Sequence, residues 1–220
     1  MLTVHHLNNS RSQRVLWLLE ELGVPYEIVK YERDPKTSLA PPELQKIHPL
    51  GKSPVVTDGE VTLAESAVIL EYLVEKYGNG KLVPVKDSPN YRRYRYFMHY
   101  AEGSLMPFLL LRLITSKVRR APFLVRPIAK KIADTIDANF VGPNLSRHIK
   151  FLADELSKSD FFAGGELSAA DIQMSYPMEA IVARVPDAPA VLKTWVTRMH
   201  ERPAYKKALE RGGPVDVMTA

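Results

Sequence analysis

Two short segments hold the residues whose types and spacing could do chemistry. One is Lys52-Ser53-Pro54, followed after a short ribbon by Glu65-Ser66. Val55-Val56 and Val61-Leu63 are β-type runs on either side of Asp58-Gly59, a dipeptide that favours a tight hairpin turn. Proline cannot donate to a sheet ladder, so Pro54 belongs at the first residue of its strand, with the backbone before it open to a ligand. At the far end Ser66 has the place of a helix N-cap, ahead of Ile69, Tyr72 and Leu73 and a stop at Gly78. A helix start is a ready anion site. A strand edge, a carboxylate and a helix start within one segment suit an amino-acid-like ligand carrying both α-amino and α-carboxylate groups.

The other segment is Asn8-Asn9-Ser10-Arg11-Ser12, a polar turn cluster. Ser10 and Ser12 are equally good as helix caps and as hydroxyl donors, Asn9 offers an amide, and Arg11 adds positive charge nearby. Before it, His5-His6 has no third His, Cys or acid at metal-ligand spacing, and strand alternation puts the two rings on opposite faces; no metal site is expected. Cysteine is absent, which excludes disulfides, thiolate metal centres and a thiol nucleophile borne by the chain. Any thiol chemistry comes with the ligand.

The elements that must position these residues follow from periodicity. Residues 2–7 read as a strand, Val15, Leu18, Leu19 and Leu22 as a helix stopped by Gly23 and Pro25, and Tyr26 to Tyr31 as a second strand. This βαβ unit predicts a parallel strand pair, and the hairpin and the helix after Ser66 complete a βαβ-ββα sheet over residues 1–80. Pro84 and Pro89 mark a linker over 81–89, and strand signals vanish over 90–220, which reads as an all-helical domain. The spacing predicts a helix from Tyr91 to about Thr115 kinked at Pro107, and another from about Pro127 to Ser157 interrupted near Gly142-Pro143. Between them Lys117, Arg119, Arg120, Arg126, Lys130 and Lys131 run without an acid, and read as a solvated face rather than an anion-binding patch. Ser168 and Asp171 form a capping-box pattern ahead of a buried helix, Leu192, Trp195, Val196 and Met199 supply another apolar stripe, and Pro203 starts a terminal helix.

With 220 residues, 45% hydrophobic and 25% charged, the chain is long enough and apolar enough for a substantial core. The net charge of +5 favours attraction of a small anion and falls short of a nucleic-acid argument. No stretch reads as a membrane span or a signal peptide, so a cytoplasmic location is expected, with neither nucleic acid nor membrane as a partner.

Pro49 to Val56, Asp58-Gly59 and Leu63 to Ile69 resemble, in content and spacing, the glutathione-binding segment of two-domain, bacterial-type cytosolic glutathione S-transferases. Arg14 to Gly23 resembles the family's first helix, and the capping box at Ser168 extends the resemblance over nearly the whole chain. The resemblance implies a thioredoxin-like α/β half followed by an all-α half, and glutathione as co-substrate. It implies that Pro54 is cis, that the backbone of Ser53 pairs with the cysteinyl part of glutathione, and that Glu65 and Ser66 hold its γ-glutamyl end. Lys52 is a candidate for the glycyl carboxylate, and Arg11 for charge beside the site. The family places a Tyr, Ser or Cys at the end of the first strand to donate to sulfur; here that slot allows Ser10 or Asn9. The implied reaction is an alkyl or aryl transfer to a small apolar electrophile, in a cleft for which His99 and Tyr100 are weak candidates, and the implied assembly is a homodimer. A transferase-like interaction protein with little turnover, and a glutathione-dependent peroxidase or disulfide reductase, remain open beside it.

Overall fold

The computed structural model describes residues 1–215. Its sheet has four strands in the order β2-β1-β3-β4. Strand β1 (Leu2–Leu7) is central and, Thr3 apart, buried along its length. It runs parallel to β2 (Glu27–Tyr31) and antiparallel to β3 (Val55–Asp58), which pairs antiparallel with β4 (Val61–Ala64). Helix α1 (Gln13–Leu22) makes the parallel crossover, ended by Gly23 in the left-handed region at φ 68° where glycine carries no Cβ penalty. A short α2 (Glu43–Ile47), which periodicity does not announce, precedes β3, and α3 (Ser66–Tyr77) follows β4.

Three local expectations need correction. The second strand begins at Glu27; Tyr26 instead turns inward and donates its hydroxyl to Glu20 at 2.8 Å. The hairpin pairs Asp58 with Val61, so the central turn residues are Gly59 and Glu60, with Gly59 at φ 63° as the first central position of a II′-type turn requires. Asp58 accepts from Tyr72, Lys76 and Tyr77 of α3, which hold its carboxyl down at about 2. Third, Ser66 is the first residue inside α3 rather than its cap, and Glu65 occupies the junction.

From Pro89 onward the regular elements among the described residues are helices, with one isolated bridge between Phe161 and Gly164: α4 (Pro89–Tyr100), α5 (Met106–Val118), α6 (Arg126–Ile136), α7 (Gly142–Leu156), α8 (Ala169–Arg184), α9 (Ala190–His200) and α10 (Pro203–Gly212). Residues 216–220 of the expected helical part lie outside the described residues. The kink expected at Pro107 is a π-helical segment, Ala101–Leu105, lying just before it; a second one, Asp137–Val141, precedes Gly142-Pro143. Proline lacks the N–H of the regular ladder, and widening the preceding turn accommodates both its ring and the freed carbonyls.

Helix α8 is the axis of the core, with Ala169 to Ile181 buried on all sides. Asp171 closes its capping box by accepting from the Ser168 N–H at 2.9 Å and also takes the Phe162 N–H at 2.8 Å, fastening the preceding loop. Against α8 pack α1, α3, α4 and α9, so the sheet-bearing and helical halves share one apolar core.

Candidate functional site

The strand registers bring three sequence segments to one end of the sheet. His5 stands opposite Val55 and Val55 opposite Ala64, so the chain leaving β1, the chain entering β3 and the chain leaving β4 emerge side by side. These are the Asn8–Ser12 loop, the Ser53-Pro54 pair and the Glu65-Ser66 pair.

The Ser53–Pro54 bond is cis. The Ser53 hydroxyl donates to the His5 carbonyl at 2.9 Å and accepts the Leu7 N–H at 3.2 Å, tying this corner to the end of β1. The main chain of Ser53 takes no hydrogen bond among the described residues, so its N–H and C=O are available to an extended ligand. Lys52 is exposed on the turn before it, and Gly51 at φ 56° lets that turn pass the Gln45 side chain of α2. Glu65 is exposed and sits at φ 72°, ψ 120°, a region that L side chains rarely adopt. The strained junction lets β4 turn directly into α3. Ser66 is 5% exposed at the first turn, where helix N–H groups have no partner inside the helix.

The β1–α1 loop is organised from further away. Arg33 clamps it, donating from its main chain to the Asn8 side chain and from its guanidinium to the carbonyls of Asn8 and Asn9. Asn9 is half-buried at φ 48°, a conformation asparagine tolerates. Ser10 is 3% exposed; its hydroxyl lies 2.7 Å from that of Ser12 and accepts the Ser12 N–H at 3.2 Å. The Ser12 hydroxyl lies in turn 2.8 Å from Nδ1 of buried His6, whose ring also donates to the Gly212 carbonyl at the end of α10. Burial lowers His6 to about 4, so the imidazole is neutral. With one ring nitrogen donating to Gly212, Nδ1 is left to accept from Ser12. His5 faces the other way, toward Tyr31 and Thr57.

Arg11 and Arg14 converge on Glu102 of the first π-helical segment, at 2.9 and 2.8 Å. Arg14 is 1% exposed, also donates to Gln173 of α8 at 2.9 Å, and both guanidinium groups lie over the Tyr176 ring. The two cations hold the Glu102 carboxyl below its usual range despite burial. Arg11 and Arg14 share this one carboxylate, so the cluster keeps one net positive charge. Sequence reading passed over Glu102, Gln173 and Tyr176: an acid, an amide and a phenol on separate helices carry no spacing signal toward the loop they hold. His99 and Tyr100 line an open groove on α4 of about 590 Å³, and Tyr100 is engaged with His148 at 2.5 Å. A cavity of about 770 Å³ between residues 80–85 and 163–168 shares no residue with the three segments.

Residues 1–75 match the family model described as the glutathione S-transferase N-terminal domain. Glutathione S-transferase 3 of Schizosaccharomyces pombe is 37% identical over 216 residues, spanning 96% of this chain and 88% of that protein. The chain belongs to the glutathione S-transferase family. Glutathione S-transferase 1 of Saccharomyces cerevisiae is 35% identical over 224 residues, covering 96% of this chain and 95% of its own length. Among solved structures, a glutathione S-transferase from Actinobacillus pleuropneumoniae superposes with a TM-score of 0.82 at 27% identity, over 100% of this chain and 97% of that one. The thioredoxin-like sheet and the helical region after it are those of the family.

Proposed function

We propose that the protein binds glutathione at this end of the sheet and transfers its thiolate to a small apolar electrophile. The observation that carries the reading is the convergence of the cis Ser53-Pro54 corner, the Glu65-Ser66 junction and the Asn9-Ser10 loop in a member of this family. Main-chain groups of Ser53 pair with the cysteinyl part of the tripeptide, as one strand pairs with another. Glu65 takes its α-ammonium group, Ser66 and the start of α3 take its α-carboxylate, and Lys52 meets the glycyl carboxylate. Arg11 adds a positive field at the sulfur end, since it shares Glu102 with Arg14 and one of the two positive charges stays uncompensated by that acid.

A free thiol ionises near pH 8.5, so lowering it to about 6.5 takes roughly 2.7 kcal/mol of preference for the thiolate. Ser10 is the donor in this reading and Asn9 the next choice. Because neutral His6 accepts from Ser12, the proton between the two serines belongs to Ser10. Turning that single O–H from Ser12 to a thiolate keeps the bond Ser10 accepts from the Ser12 N–H, so the oxygen stays in place while its proton is redirected. The start of α1 adds positive dipole to the same point.

The same reading makes the protein a homodimer through α3, where Val68 is exposed, and through Tyr91 to Arg95 of α4; light scattering should then give about twice the 24.8 kDa chain mass. Isothermal titration with glutathione, followed by a conjugation assay over a panel of apolar electrophiles, tests the function. Binding with conjugation is expected, and no heat of binding overturns the reading.

A further inference from the structure

We propose that the tip formed by the end of α5, the turn after it and α6 docks on an anionic lipid bilayer. Phe123 and Leu124 in the turn are 80% and 88% exposed, and Ile128 and Ile132 on α6 are 68% and 53% exposed. Ile114 and Val118 extend the exposed apolar surface onto α5. At i,i+4 spacing each helix carries these residues as one stripe. Thr115 of α5 and Arg119 just after it bond Asp137, just past α6, and Asp134 near its end, which ties the two helices together. The only fully buried side chain of α6 is Ala133, so this helix stays on the molecule through a small residue and ion pairs while its large apolar residues face outward. Isolated apolar side chains on a surface need no explanation; a contiguous set of this size marks an interaction site.

Charge decides the occupant. Between Lys117 and Lys131 the chain has six cations and no acid. The acids next in line, Asp134 and Asp137, are taken up by Arg119 and Lys130, leaving Lys117, Arg120, Arg126 and Lys131 around the apolar surface with no acidic partner among the described residues. A second copy docked by two-fold symmetry would set these same cations against one another. Anionic headgroups match them instead, while Phe123, Leu124 and the isoleucines enter the boundary between headgroups and acyl chains, the binding mode of a basic amphipathic helix. No helix among the described residues is long and apolar enough to cross a membrane; the proposed contact is with the surface. It revises the expectation that the basic run is a plain solvated face and that no membrane is a partner. Resting on the transferase reading, it adds a source for apolar electrophiles, which partition into bilayers.

The test is co-sedimentation of the full chain with vesicles of phosphatidylcholine, alone or mixed with phosphatidylserine. Binding to the mixed vesicles should be at least about tenfold stronger than to phosphatidylcholine alone, and weaker in high salt. The double variant Phe123→Ser/Leu124→Ser, in an exposed turn, should lose about tenfold or more of that binding while keeping its circular dichroism and glutathione affinity. Lys117→Gln with Lys131→Gln should lower the preference for anionic vesicles. Inorganic phosphate should release no more protein than sodium chloride of the same ionic strength, whereas specific release by phosphate would assign the patch to a free anion and overturn the proposal. It also fails if mixed vesicles do not bind, if the turn variant binds unchanged, or if that variant halves the mass in light scattering, which would make the tip a contact between copies. Loss of glutathione binding in the parent chain would strike the transferase reading alone.

Discussion

The two ends of the site are built differently. The end assigned to the amino-acid part of glutathione lies within Ser53 to Ser66, two strands joined by a turn and then a helix start. The end proposed to hold the sulfur gathers Ser10, Ser12 and His6 with the Gly212 carbonyl, and Arg11 and Arg14 with Glu102 and Gln173. Change at the first should act on binding and leave folding alone. At the second, binding, ionisation and stability share the same groups.

The sharpest way to separate them is Glu102→Ala. It leaves the buried Arg14 guanidinium with Gln173 as its side-chain partner, and removing one member of a buried charge pair costs about 3 to 5 kcal/mol. Urea unfolding should show a loss of that order. Arg11→Ala, at a side chain 37% exposed, should cost less than about 1 kcal/mol. Equal losses would mean that the cluster does not join the two halves.

Next in size is the pH dependence set by His6. Its folded pKa of about 4 lies below the ordinary 6.5, so its contribution is complete above pH 6.5, where the ring is neutral in both states. As pH falls from 6.5 to 4 the unfolded chain takes up a proton that the folded one refuses, and stability falls by about 3 kcal/mol at roughly 1.4 kcal/mol per unit. Unfolding at pH 7 and pH 4.5 should show this loss in the parent chain and less of it in His6→Gln. Parallel losses would remove His6 as the group responsible.

At the amino-acid end, Glu65→Ala should weaken glutathione by about ten- to a hundredfold, since a hydrogen bond to a charged group is worth about 1.5 to 3 kcal/mol. Ser66→Ala should cost severalfold. Both should unfold at the parent's urea midpoint, and unchanged affinity in titration calorimetry would take this segment out of the site.

The smallest expected effect is Ser10→Ala. The pKa of bound glutathione, followed as thiolate absorbance against pH, should rise by about one unit with affinity nearly intact. Asn9→Ala should move it less, and the reverse order would transfer the donor role to Asn9.

Much of the fold was legible because it is local chemistry. Alternation and 3.6-residue spacing announced β1, α1 and the hairpin, and Ser168 with Asp171 announced the start of α8. The two prolines marked where the long helices depart from regularity, although not that each departure is a π turn. Ser66 misled because a serine before an apolar repeat ordinarily caps. Here β4 runs into α3 without a spare residue, and Glu65 takes the strained junction.

What the sequence by itself determined is that Ser53-Pro54 and Glu65-Ser66, proposed to take the amino-acid part of the ligand, lie together, because one hairpin joins them and local geometry closes it. Only the tertiary structure decided the rest. Whether Ser10 can direct its proton depends on Gly212, at the far end of the chain, fixing the His6 ring. Whether Arg14 is a surface cation or a buried tie depends on where α8 places Gln173. The isoleucines of α6 have the spacing of a core helix, and they remain exposed because α6 meets the molecule through Ala133 and its ion pairs. Periodicity states which side chains share a face; only packing states what that face meets.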